Sequence, residues 1–222
     1  MKKRFFLLFA AVLMSAAAFS QGFGLRAGVN LQTINGKDDA GDKLENDMTI
    51  GLNIGVNYEI SIAEGFYLQP GLSFALKGAK DSEEYLGVNV DNTISISYIE
   101  LPIHLVYKPE LGSGKIIVGF GPYVGYGIGG KWKMEALGES EETDIKFKNK
   151  VTEEDWEEDA IFVRPLDAGA DVFFGYEFPF KLSVQFNAQL GLLNLWPEYE
   201  GEDDDESVFK HTGFGVSLGF RF

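Results

Sequence analysis

Hydrophobic positions alternate with small or polar ones over the last stretch of the chain. Phe214, Val216, Leu218, Phe220 and Phe222 take every second place, and Gly215, Ser217, Gly219 and Arg221 stand between them. A period of two makes a strand with one oily face and one face of small and polar groups. No later element follows Phe222 in this sequence to cover the oily face. Either a core covers it or lipid does, and the remaining pattern has to decide.

The same alternation recurs upstream. Phe23 to Gln32 predicts strand one, followed by a polar loop over Thr33–Asp47. Ile50, Leu52, Ile54, Val56, Tyr58 and Ile60 form the oily side of strand two, and a tight turn at Ala63-Glu64-Gly65 leads into strand three, Phe66–Lys77. Pro70 inside strand three calls for an edge or a bulge, because proline gives no donor to a ladder. Lys80–Asn92 reads as a second long polar loop. Strand four starts with Ile94, Ile96 and Tyr98 and changes phase to Ile99, Leu101, Ile103, Leu105 and Tyr107, which predicts a β-bulge near Tyr98. Strand five carries Ile116, Val118, Phe120, Pro122, Val124, Tyr126 and Ile128 against a near-glycine ladder. The long polar segment Lys131–Asp159 follows, parts of which (Trp132–Leu137, Thr143–Lys148) could extend the hairpin. Strand six, Leu166–Phe178, turns tightly at Pro179-Phe180 into strand seven, Leu182–Gly191. An acidic loop over Trp196–Ser207 precedes the last strand.

This makes eight strands whose connections alternate long and short. Outer-membrane barrels have that asymmetry. The non-oily face carries Gly, Asn, Gln, Arg, Asp and Glu on nearly every strand. Such a face suits a narrow interior, where small residues leave room for a few large polar ones. Aromatic residues gather at strand ends. Tyr58, Phe66, Tyr107, Tyr176, Phe178, Phe220 and Phe222 lie at the short-turn ends, and Tyr98, Tyr126, Trp132, Phe162, Trp196 and Phe209 near the long loops. Two girdles match two lipid–water interfaces. The expectation is an all-β fold: an eight-stranded antiparallel up-and-down transmembrane β-barrel with its oily side chains outward.

Composition and the N-terminus agree. The 222 residues include 27 glycines and 19 phenylalanines but no cysteine, which suits sheet without disulfides. Lys2, Lys3 and Arg4, the apolar run Phe5–Met14 and the small residues before Gln21 read as a signal peptide over 1–20, leaving a barrel domain over 21–222 and an outer-membrane address. The formal charge of −15 excludes nucleic acid as a partner, because its phosphates require a basic face.

Four short pieces carry a family resemblance: Gly24-Leu25-Arg26-Ala27-Gly28-Val29-Asn30, Tyr98-Ile99-Glu100-Leu101-Pro102-Ile103, Gly121-Pro122-Tyr123-Val124-Gly125 and Asp167-Ala168-Gly169. With them the mature chain, loops excepted, resembles the outer membrane protein beta-barrel family of Gram-negative bacteria that includes PorT-type proteins. The resemblance implies an eight-stranded barrel and no reaction. PorT itself is associated with protein secretion, which makes an accessory role in a secretion machine the alternative to a structural or surface-interaction role.

The candidate chemistry lies in the charges of the inward face: Arg26, Glu59, Lys77, Glu100, His104, Asp167, Asp171, Glu177 and Arg221. An eight-stranded barrel is just wide enough for its own side chains, and buried charges must be paired. The cluster therefore reads as a salt-bridged plug, with Arg26 and Arg221 each reaching one or more of Glu59, Glu100, Asp171 and Glu177. A lipid hydrolase built on His211 with Ser207 and Glu206 is disfavoured; no Gly-x-Ser-x-Gly is present, and His211 reads as a rim histidine in a solvated loop. The run Glu202-Asp203-Asp204-Asp205-Glu206 matches no EF-hand spacing and reads as solvated rather than calcium-binding. No catalytic, cofactor or metal residue is expected. The expected partners are outer-membrane lipid, the barrel-assembly machinery through Phe214, Val216, Leu218, Phe220 and Phe222, and an unidentified extracellular or secretion partner.

Overall fold

The computed structural model describes residues 22–39, 41–85, 87–201 and 207–222. The signal-peptide expectation and the acidic run 202–206 lie outside the described residues. Eight long strands form the body: β1 (Phe23–Lys37), β2 (Thr49–Tyr58), β3 (Phe66–Tyr85), β4 (Val88–Tyr107), β5 (Gly114–Ala136), β6 (Leu166–Glu177), β7 (Leu182–Gly191) and β8 (Val208–Arg221). Each pairs antiparallel with its neighbour in sequence, and β8 pairs with β1 from Gly24–Arg221 to Lys37–Val208. The last strand thus closes the sheet into a ring, which leaves no open edge around its circumference.

The oily face points outward. Val29, Ile54, Leu101, Phe120, Val172, Phe174 and Leu218 are all about half or more exposed, and so are most of their neighbours in alternation. On β8, Phe214, Val216, Leu218 and Phe220 are exposed. The buried positions include Asn30, Gln32, Gln69, Ser73, Lys77, Glu100, His104, Asp167, His211 and Ser217, side chains that would ordinarily seek water. No helix among the described residues is long and apolar enough to cross a membrane; the ring presents its hydrophobic surface through strands.

Several sequence expectations need correction. The loops expected over Thr33–Asp47 and Lys80–Asn92 are partly strand. β1 continues to Lys37, and β3 and β4 run on as a hairpin paired out to Tyr85–Val88. Polar side chains do not stop a ladder once neighbouring backbone satisfies it. β3 and β4 have 20 residues each, twice the ~9–11 that cross a bilayer, so half of that hairpin projects beyond the belt. The bulge expected near Tyr98 is present, but its extra residue belongs to the partner strand and the faces of β4 do not swap. Ile94, Ile96 and Tyr98 share the inward face of β4 with Glu100 and His104, and Tyr98 is fully buried. The register slips between Ser97–Gly129 and Tyr98–Gly127, so the extra residue is Ile128 on β5. Oily residues here line the inside instead of turning outward. On one side Pro70 sits in a gap of the ladder, between Asn57–Gly71, where β2 stops pairing with β3, and Ile60–Leu68, where the short strand Ile60–Ala63 takes over; on the other it is in register with Ile103 of β4.

At the short-turn end the aromatic residues form ring pairs, Phe23–Tyr58, Phe66–Tyr107, Tyr176–Phe178 and Phe220–Phe222. At the other end Tyr126 is exposed and Trp196 packs on Tyr199 and Phe209. Tyr98 and Phe162 do not belong to the outer girdle, since both are buried.

Candidate functional site

The interior is built in three tiers along the axis, each assembled because alternation aims every second residue inward. At the short-turn end, Lys108 Nζ lies 2.6 Å from Glu59 Oε1 and 2.7 Å from Glu177 Oε2. Arg221 reaches the same Glu59 at 2.5 Å and donates to Asn57 Oδ1 and the Gly22 carbonyl. Gln69 donates a further bond to Glu59 at 3.0 Å. Strands β2, β3, β6 and β8 are tied together here with the two connections that carry Glu59 and Lys108.

In the middle tier His104 Nε2 stands 3.0 Å from Asp171 Oδ2, with its ring edge-on to Phe173. Asn53 donates to Asn30 at 2.7 Å. Arg26 makes no ion pair within 4 Å among the described residues; its guanidinium lies over the Phe173 ring at 5.8 Å. Arg221 meets a carboxylate, whereas Arg26 meets a ring. Gly119 explains why Phe173 fits inside: a Cβ there would come within 2.2 Å of that ring.

The third tier is the driest. Lys77 Nζ lies 2.6 Å from Glu100 Oε1 and 2.9 Å from Asp167 Oδ2, and the side chains of Lys77 and Asp167 are wholly buried. Tyr123 donates its hydroxyl to Asp167 at 3.2 Å, and its ring sits 4.3 Å from the ammonium. His211 Nδ1 stands 3.3 Å from Asp167 Oδ2, and its ring meets Tyr98 edge-on. His211 is therefore not a solvated rim residue but a fully buried part of β8. Its parity with Ser217 and Gly213 carries that signal in the sequence. Lys108 carries a similar signal, because it continues the inward series Glu100, His104, Val106 one step past the strand end.

Above this tier the long segment after β5 folds back over the mouth. A strand over Glu139–Phe147 pairs with the outer end of β5, and Ala160–Val163 pairs with it in parallel. Ile145 joins Ile96 and Tyr98 in an apolar cluster with Ile94, Phe147, Ile161 and Val163 around it. Phe147 lies over Gly127, where a Cβ would come within 2.2 Å of its ring. Two voids between the tiers, among the described residues, are small, of about 30 and 10 Å³. Among the described residues no group of three or more His, Asp or Glu is arranged to hold a metal.

A closed sheet with an oily exterior and a charged interior defines a membrane protein that crosses with strands. The chain belongs to the outer membrane protein beta-barrel domain family, whose pattern matches residues 5–222. No curated protein sequence matches it. Among solved structures it is similar to Ail, the attachment invasion locus protein of Yersinia pestis, at 14% identity over 91% of this chain and 99% of that one, with a TM-score of 0.38. It is also similar to Neisserial surface protein A, at 8% identity over 90% and 97% of the two chains and a TM-score of 0.45. A third similar structure is the translocator domain of the autotransporter NalP from Neisseria meningitidis, at 8% identity over 100% and 97%, with a TM-score of 0.32.

Proposed function

We propose that this protein is a sealed, non-enzymatic outer-membrane barrel whose lumen is a salt-bridged plug and whose projecting acidic loops meet a surface partner. The observation that carries the reading is the filled interior. The larger lumenal void, 30 Å³, has room for about two waters, and the apolar cluster around Ile96 and Ile145 covers the outer end. Such an interior stiffens the tube and admits no solute. Reconstituted in planar bilayers, the protein should give no discrete conductance steps; regular open steps would refute the seal. His211 has a carboxylate at Nδ1, yet its Nε2 has no hydrogen-bond partner among the described residues. Purified protein should not deacylate lipid, and an activity lost in His211→Ala would overturn the non-enzymatic reading.

The finer PorT-type reading, an accessory role in secretion, rests on the short pieces that carry the resemblance. Two of the pieces behind that resemblance are neighbours in the sheet: Leu101 pairs with Val124 and Pro102 with Tyr123. Crosslinking in intact cells separates the roles, since secretion components should co-purify under the second reading alone. In either role β8, which closes the ring, serves as the strand read by the assembly machinery.

A further inference from the structure

The loops beyond the belt are rich in ion pairs. Lys80, Lys131, Lys133, Lys146, Lys148 and Lys150 each pair with a carboxylate. Three lysines at the same end do not. Lys37, Lys43 and Lys210 make no ion pair within 4 Å among the described residues, although Asp38, Asp42 and Glu45 belong to the same turn. They are also close together. An isolated antiparallel bridge sets Lys37 opposite Lys43, and Asn35 pairs with Lys210, which makes Lys37 its diagonal neighbour on the outward face. Like charges directly across a ladder repel. In a chain of formal charge −15, three neighbouring lysines without an ion pair are a local exception, although Asp38, Asp39, Asp42, Glu45 and Asp47 share the turn of two of them.

Lys37 and Lys210 border a recess of about 640 Å³ on the outer wall, floored by Leu190, Gly191 and Thr212. Directly below, on those three strands and their neighbours β2 and β6, lies an apolar groove of about 630 Å³ lined by Leu31, Ile50, Phe186, Ala188, Phe214 and Val216. Ala188 makes the groove: it is the small residue between Val172 and Phe214 in a belt of large ones. From Val216 to Lys210 is six residues, about 20 Å along a strand and about 15 Å along the membrane normal at the usual barrel tilt. That equals one leaflet of a hydrocarbon core ~30 Å thick. The lysines therefore stand at headgroup level when the groove lies among acyl chains.

We infer that this wall is a binding site for an anionic, phosphorylated lipid of the outer leaflet, with its phosphate on Lys37, Lys43 and Lys210 and one acyl chain in the groove past Ala188. Neutral lipid would satisfy the groove but leave the lysines without a direct ion-pair partner, and a free anion would leave the groove empty. The inference rests on the membrane placement of the barrel, which the heat-dependent gel shift of the folded protein tests separately.

The test uses the full chain, folded into detergent and loaded with dioleoyl phosphatidic acid, dioleoyl phosphatidylcholine or inorganic phosphate, with retained lipid read by native mass spectrometry and phosphate by phosphorus NMR. Phosphatidic acid should be retained over phosphatidylcholine by about tenfold or more. The triple variant Lys37→Gln/Lys43→Gln/Lys210→Gln should lose that preference while keeping the gel shift. Ala188→Trp should weaken retention of both lipids. Equal retention of the two lipids by the unaltered chain, an unchanged preference in the triple variant, or inorganic phosphate binding as tightly as the lipid would each overturn the inference.

Discussion

Lys77 is the residue on which the interior turns. It compensates two buried carboxylates at once, Glu100 and Asp167, and Tyr123 and His211 hold the second of them. Removing one partner of a buried ion pair strands the others, at a cost of about 3–5 kcal/mol. Lys77→Met should therefore lower the unfolding free energy, taken from a denaturant titration, by that amount. Lys131→Met, which breaks an exposed pair with Glu142, should change it by less than about 1 kcal/mol. Urea titration of the detergent-folded protein compares the two. The inward glycines work with these charges, since Gly119 and Gly127 leave the space that the rings of Phe173 and Phe147 fill.

At the scale of elements, the long segment after β5 is a structured cover rather than a plain loop. Its 3₁₀ turn, Glu153–Glu157, is held by Asp155, which accepts from the Thr152 amide at 3.0 Å and hydroxyl at 3.1 Å and pairs with Lys148. The hydrogen bond from Lys148, and then that from the Thr152 backbone, lowers the carboxyl pKa below its ordinary value. A depressed acid stabilises the fold above its unfolded pKa, about 3.9, and that contribution disappears as pH falls through the folded value. Carbon NMR of the Asp155 carboxyl should show a midpoint below about 3.9. Amide protection of the turn should fall over the same range, and in Asp155→Asn it should be weak at neutral pH as well.

The whole molecule is an inverted globule, and one substitution at two depths tests this. Val216→Lys places a charge near the bilayer midplane and should cost about 2–4 kcal/mol of folding stability in lipid vesicles. Thr212→Lys, two outward positions nearer the rim on the same strand, should cost about 0–1 kcal/mol. Equal small effects at both sites would mean that the belt does not face lipid.

The order of the strands, their outward oily faces and most inward charges were legible because a period of two needs only neighbouring residues to reveal it. His211 and Lys108 were legible too, had parity been followed past the apparent strand ends. Other features depended on contacts between distant segments. Polar stretches such as Lys80–Tyr85 look like loop until a partner strand supplies their hydrogen bonds. Ile94, Ile96 and Tyr98 read as lipid-facing until Ile145 and Phe147 fold over them from some 50 residues away. Alternation fixes which face a side chain takes, but the partner on that face is chosen by ring closure and packing.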